Sequence, residues 1–83
     1  MNIPLYTDDE IKKVALFINR LKSVDMPNYS IVDKAWELCD TIVSPNQSLT
    51  NFERINATAE LLSVSFSKAR KLEKENNAET THE

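Results

Sequence analysis

A short basic segment near the C-terminal end carries the most distinctive chemistry in this sequence. Within residues 66–74 there are four cations and one acid, Glu73, which gives this segment a net charge of +3. The cations are Lys68, Arg70, Lys71 and Lys74. Ammonium and guanidinium groups at this density bind phosphate oxygens, so the segment is suited to contact nucleic acid. The whole chain has a net charge of −3, which argues against a protein that simply coats nucleic acid.

The residues around the basic segment predict two short helices joined by a tight turn at Ser63 and Val64. The apolar residues that fit the inner faces of such a pair are Ala59, Leu62, Val64, Ala69 and Leu72. Ser65 follows the turn and is suited to cap the second helix, because its hydroxyl can accept from the free N–H groups at the helix start. We therefore expect helices over about 51–62 and 66–76.

Over residues 55–74 this pattern resembles the helix-turn-helix of DNA-binding regulators, in which the second helix enters the major groove. The resemblance covers this stretch only and identifies no whole-chain family. It implies DNA contact through Ser65, Phe66, Ser67, Lys68, Arg70, Lys71 and Lys74. It also implies a homodimer, because one such helix reads only a few base pairs. The sequence departs from the motif at the turn, where Ser63 replaces the usual glycine.

A second candidate surface lies on the first predicted helix. The core stripe of that helix consists of Ile11, Val14, Ile18 and Leu21. Leu16 points away from this stripe, toward a surface that it shares with Lys12, Lys13 and Arg20. A single exposed leucine is ordinary, but the same arrangement also suits a contact with a protein partner or a second copy.

Catalysis and metal binding have little support in the sequence. The single histidine, His82, falls in a predicted disordered tail, and Cys39 lies on an apolar helix face as a small core residue. Asp33, Glu37 and Asp40 line one helix face, where a solvated surface is the usual outcome. We therefore predict a non-enzymatic protein without cofactor or metal.

The fold expected from these patterns is all-α, a small bundle of three or four helices in one domain. The chain has no glycine, which disfavours tight turns and nucleotide-binding loops. The first two helices are predicted at about 8–22 and 30–43, and residues 77–83 are predicted to be a disordered tail. Thr7 to Glu10 and Thr50 to Glu53 form capping boxes. We expect no membrane span and a cytoplasmic location.

The same spacing of apolar residues predicts which side chains of the second and third helices face the core. The second helix is predicted to be the most buried, with Trp36 on its broad apolar face, and the third helix is predicted to turn Phe52, Ile55, Ala59 and Leu62 inward.

Two functional hypotheses remain from the sequence. The first is a small regulator that binds DNA through residues 65–74. The second is an interaction module or inhibitor, such as a small phage-encoded regulator of host or lysis proteins, that uses the bundle as a docking surface for a protein partner. Fold alone does not decide between the two hypotheses.

Overall fold

The computed structural model describes the backbone of residues 5–81 and the side chains through Glu75, and this part of the chain folds into three α-helices. The helices are α1 (Asp8–Ser23), α2 (Asn28–Val43) and α3 (Asn51–Thr81). The predicted all-α fold is confirmed. Each helix packs against both of the others, and α1 and α3 run parallel, because Tyr6 contacts Glu60 at one end and Lys22 contacts Glu73 at the other.

Local hydrogen bonds cap helix α1 at both ends. The Glu10 N–H donates to Thr7 Oγ1 at 3.2 Å and the Thr7 N–H donates to Glu10 Oε1 at 2.8 Å, which confirms the predicted capping box. At the other end Asp25 adopts φ 58°, a left-handed conformation that usually selects glycine. The N–H of Asp25 donates to the Lys22 carbonyl and that of Met26 to the Leu21 carbonyl, so a Schellman motif ends the helix.

Helix α2 begins two residues before the predicted start. Pro27 occupies the N-cap position without a side-chain hydrogen bond, and its fixed φ suits the entry into a helix. The helix ends at Val43 as predicted, where Ser44 Oγ donates to Asp40 Oδ1 at 3.0 Å. The buried face of α2 is narrower than predicted, because Val32 is 45% exposed and Trp36 is only half-buried.

Helix α3 differs most from the prediction. It begins at the predicted capping box, in which the Glu53 N–H donates to Thr50 Oγ1 at 3.1 Å. It then continues without a break through residues 63–65, so the predicted turn and the pair of short helices are wrong. No glycine or proline lies in this stretch to end a helix, and Ser63 cannot take positive φ at low cost.

The inward face of α3 is rotated away from the predicted one. The side chains that it buries are Ala57, Thr58, Leu61, Ser65 and Ala69. Phe52 and Ile55, predicted to lie inside, are 74% and 51% exposed. Ala59 and Val64 are also exposed, whereas Ala69 is buried and Leu72 packs against the core, as predicted. Ser65 is therefore a buried mid-helix residue and caps no helix.

The three helices share one hydrophobic core. Its buried members are Val14, Ala15, Ile18, Leu21, Ile31, Ala35, Cys39, Val43, Ala57, Leu61 and Ala69. Tyr6 and Ile11, which flank the capping box of α1, both pack against this core. No helix within the described residues is long and apolar enough to cross a membrane. Helix α3 extends to Thr81, into the predicted tail, and His82 and Glu83 lie outside the described residues.

Candidate interaction surfaces

The groove between α1 and α3 collects part of the basic segment. It has a volume of about 530 Å³, and its lining includes Lys12 from α1 together with Ser67, Lys68 and Lys71 from α3. The carboxylates of Asp8 and Asp9 line the same groove. The groove therefore presents cations that could hold a phosphate, beside acids that would repel one.

The groove between α1 and α2 contains the predicted partner surface around Leu16. Leu16 is 50% exposed, and it lines a groove of about 330 Å³ with Phe17 and Leu38. Lys13 and Arg20 line the same groove. Three of the four predicted residues thus lie together over an apolar floor, whereas Lys12 belongs to the α1–α3 groove.

A cavity between α2 and α3 opens on the third side of the bundle. It has a volume of about 330 Å³ and is mainly apolar, with Ile31, Val32, Phe66 and Ala69 in its wall. Two cations, Lys22 of α1 and Arg70 of α3, also line this cavity. Phe66 is half-buried in the wall of this cavity and packs against the core.

The cavity is one end of a larger apolar surface, which we call the α2–α3 face. It consists of Tyr29, Val32 and Trp36 on α2 and of Phe52, Ile55, Ala59, Leu62 and Phe66 on α3. Helix α2 runs antiparallel to α1, and so to α3, because Asn28 lies beside Lys22 whereas Leu38 lies beside Lys13. Val32 and Phe66 line one cavity, so one helical turn further along Trp36 and Leu62 lie at the same level. Tyr29 is 78% exposed, and no other described element covers it or Phe52.

Polar contacts between α1 and α3 fix the position of the long helix. Tyr6 Oη donates to a carboxylate oxygen of Glu60, and burial, this hydrogen bond and the carboxylate charge together raise the pKa of Tyr6 to about 12. Asn19 Nδ2 donates to the Ala69 carbonyl at 3.1 Å. Lys22 Nζ lies 3.0 Å from Glu73 Oε2 at the surface. These contacts join α1 and α3 along the length of α1.

Cys39 lies in the core with no exposed surface, and burial raises the pKa of its thiol to about 11. The thiolate, which is the nucleophile, is therefore scarce at neutral pH. Among the described residues no group of three or more His, Cys, Asp or Glu side chains is placed to hold a metal ion. The acids Asp33, Glu37 and Asp40 line one side of α2 without forming such a group.

The predicted DNA-binding residues are divided among different environments. Ser67, Lys68 and Lys71 line the α1–α3 groove, Phe66 and Arg70 line the α2–α3 cavity, Lys74 is exposed elsewhere on α3, and Ser65 is buried. The sequence prediction missed the α2–α3 face. A signal for it was present, because α3 carries two apolar stripes and one bundle side can bury only one of them.

The sequence matches no protein-family model and no curated protein, and the fold matches no solved structure.

Proposed function

We propose that this protein is a non-enzymatic interaction module that docks a protein on its α2–α3 face. The observation that carries the proposal is the exposure of large apolar side chains, Phe52, Tyr29 and Ile55, along the α2–α3 face. Scattered apolar residues are ordinary on a monomer, but a contiguous apolar patch bordered by polar residues is typical of a protein-binding site.

The composition of this face supports a protein ligand. Aromatic side chains are enriched in protein interfaces, where they bury a large area at little cost in conformational entropy. Phe52 and Tyr29, each about three-quarters exposed, offer roughly 300 Å² between them. The half-buried Trp36 lies on the same face, and such residues are frequent centres of binding energy.

Site-directed photo-crosslinking tests this proposal. A benzophenone side chain at Ala59, in the middle of the face, is expected to give discrete protein adducts in cells that express the chain. The control carries the same group at Asp9, which is exposed beside the α1–α3 groove. Adducts from Ala59 with few from Asp9 support the proposal, whereas equal labelling at both positions, or none, overturns it.

DNA binding is a second candidate, and the lysines of the α1–α3 groove favour it. Lys12, Lys68 and Lys71 converge there from two helices, an arrangement that suits a phosphate backbone. The helix-turn-helix geometry that suggested base reading is absent, and Asp8 and Asp9 oppose a polyanion. We therefore place DNA binding behind protein docking.

Retention on DNA at about 50 mM salt tests the second candidate, because even a few phosphate contacts bind measurably at that concentration. If DNA binds in the groove, replacing both Lys68 and Lys71 with alanine should flatten the slope of log K against log salt by about 0.9 for each lost contact. Arg70→Ala is the matched control, because Arg70 belongs to the α2–α3 cavity. Absence of retention excludes this candidate.

A further inference from the structure

The apolar residues of the α2–α3 face follow the spacing of a coiled-coil seam. On α3 they are Phe52, Ile55, Ala59, Leu62 and Phe66, alternately three and four residues apart. On α2 the same spacing joins Tyr29, Val32 and Trp36, and beyond Trp36 it continues into the core at Cys39 and Val43. Helices with this repeat contact neighbours on two sides in four-helix bundles, but here α2 and α3 have only each other along this face.

The size of the face suits another pair of helices. From Phe52 to Phe66 the seam extends about 21 Å, at about 1.5 Å per residue. On α2 the part of the seam that belongs to the face is shorter, about 10 Å from Tyr29 to Trp36, so the face has the width of a helix pair over part of its length. A specific interface needs about 600 Å² or more per partner, and Phe52 and Tyr29 alone supply roughly half of that.

The charges that border the face differ between its two edges. On α2 the outer edge carries Asp33, Glu37 and Asp40. At the same spacing the outer edge of α3 carries Asn56, Glu60 and Ser63, followed by the basic Arg70, and the Glu60 carboxylate accepts from the Tyr6 hydroxyl on the α1 side. Arg70 and Val32 line one cavity, so Asp33, the neighbour of Val32, lies at the same end of the face as Arg70. The α2 edge thus carries three acids, whereas the α3 edge carries one acid, Glu60, and one cation, Arg70.

This asymmetry selects one arrangement of two copies. If α2 covers α3 of the other copy, around a twofold axis parallel to the helices, each edge with three acids meets an edge that carries one acid and one cation. Asp33 then lies near Arg70 of the other copy, and symmetry repeats this pair. The arrangement with α2 on α2 brings two acidic edges together and is disfavoured.

We propose that the α2–α3 face binds a second copy of this chain, so that α2 and α3 of both copies form an antiparallel four-helix bundle. This inference rests on the proposed docking function of the same face and names its partner. In the dimer Phe52, Tyr29 and Trp36 become interior residues. A chain of this size gains a larger core by such pairing than it can build alone.

Light scattering after size exclusion tests this inference with the full-length chain. At about 200 µM we expect a mass of about 19 kDa, twice the 9.5 kDa of one chain. Ala59→Glu puts a charge in the middle of the face and should weaken the dimer at least about 100-fold. Glutamate is a good helix former and Ala59 is exposed, so the helical content of this variant should be unchanged.

The matched control is Leu16→Glu, which puts the same charge in the α1–α2 groove. This variant should keep the dimer mass. If instead Leu16→Glu gives monomers while Ala59→Glu remains dimeric, the dimer uses the α1–α2 groove and the proposal is wrong.

Exchanging the charged pair tests the orientation of the two copies. Asp33→Arg and Arg70→Asp should each weaken the dimer about 10-fold, and the double variant should recover most of this loss. If both single variants weaken the dimer and the double variant is no stronger than either of them, the arrangement with α2 over α3 is wrong.

The photo-crosslinking experiment separates failure of this inference from failure of the docking function. Adducts from Ala59 at the mass of two chains support the second copy. A monomer at about 200 µM whose Ala59 adducts all contain another protein overturns the second copy but keeps the docking function. A monomer without adducts overturns both.

Discussion

Helices α1 and α3 solve the same packing problem with different sequence patterns. Helix α1 has one apolar stripe, and its members Val14, Ile18 and Leu21 are buried. Helix α3 has two stripes, and the one with the larger side chains, including Phe52 and Ile55, faces outward. The larger apolar stripe of a helix is therefore not always its core stripe, and the excess apolar surface is a resource for binding.

Close approach explains why the small residues of α3 lie inside. Asn19 reaches the Ala69 carbonyl at 3.1 Å, which requires the backbones of α1 and α3 to be near each other. Ala57, Ser65 and Ala69 leave room for this approach, and Leu61 fills the remaining space with no exposed surface. A phenylalanine in one of these inner positions would hold the helices apart.

The largest effect is expected at Leu61. Leu61→Ala removes a fully buried side chain and should lower the free energy of unfolding by about 3 kcal/mol. Urea unfolding followed by circular dichroism measures this change. Leu62→Ala, one residue further on and only half-buried, is the control and should cost clearly less. If Leu62→Ala costs more than Leu61→Ala, the assignment of the inner and outer stripes of α3 is reversed.

Replacement of Ser65 by alanine distinguishes the continuous helix from the helix-turn-helix, because the two structures predict stability changes of opposite sign. The Ser65 hydroxyl is buried, and its oxygen has no hydrogen-bond partner among the described residues. Ser65→Ala should therefore stabilise the protein by about 1–2 kcal/mol, because an unsatisfied polar group leaves the core and alanine favours the helix.

An N-cap serine behaves in the opposite way, since its replacement by alanine costs about 1 kcal/mol. Ser67→Ala is the control, because Ser67 is exposed on the same helix. A thermal melt measures both variants. A lower melting temperature for Ser65→Ala alone would favour a helix start at this residue.

Several features of the fold are predictable because a local interaction decides them. Thr7 with Glu10 and Thr50 with Glu53 start two helices through hydrogen bonds within four residues of sequence. The first helix ends at Ser23, one residue beyond the predicted end, and Pro27 disfavours helical geometry at Met26 just after it. The helical spacing of the apolar residues in α1 also predicts its buried face, because only one stripe of the helix carries Val14, Ile18 and Leu21.

The course of α3 and its surfaces depend on contacts between helices, which the local pattern does not encode. Ser63 is compatible with a turn or a helix, and the continuous helix is the outcome when Leu61, Ser65 and Ala69 all pack on one side. The three-residue and four-residue spacing from Phe52 to Phe66 is visible in the sequence. Whether this stripe faces the core or the solvent is decided by the small residues that approach α1.

Tyr6 sharpens the comparison because it joins the start of α1 to α3. Its hydroxyl donates to Glu60, so Tyr6→Phe should lower the free energy of unfolding by about 1 kcal/mol near neutral pH. The pKa of Tyr6 is raised to about 12 in the folded chain, above the ordinary value of 10.0. The unfolded chain therefore loses this proton first, and the stability due to the neutral hydroxyl is complete below pH 10 and is lost as the pH rises toward 12.

Urea unfolding at several alkaline pH values should show the difference between wild type and Tyr6→Phe shrinking across this interval. Tyr29→Phe is the control, because Tyr29 is 78% exposed. A difference that stays constant to pH 12 would show that the hydroxyl of Tyr6 is not held by Glu60.

The smallest effect on the single chain is expected at Phe52, and it tests the outer stripe most directly. If Phe52 lay inside, as the sequence pattern suggested, Phe52→Ala would cost about 3–5 kcal/mol. Phe52 is 74% exposed, so at a dilute concentration of about 1 µM we expect a loss below about 0.5 kcal/mol.

The cost of Phe52→Ala should rise with protein concentration if two copies bury this face, because association stabilises the folded chain by mass action. Leu61→Ala provides the contrast, since its cost should be similar at both concentrations. A large loss for Phe52→Ala at high dilution would mean that Phe52 belongs to the core and that α3 has one functional face fewer.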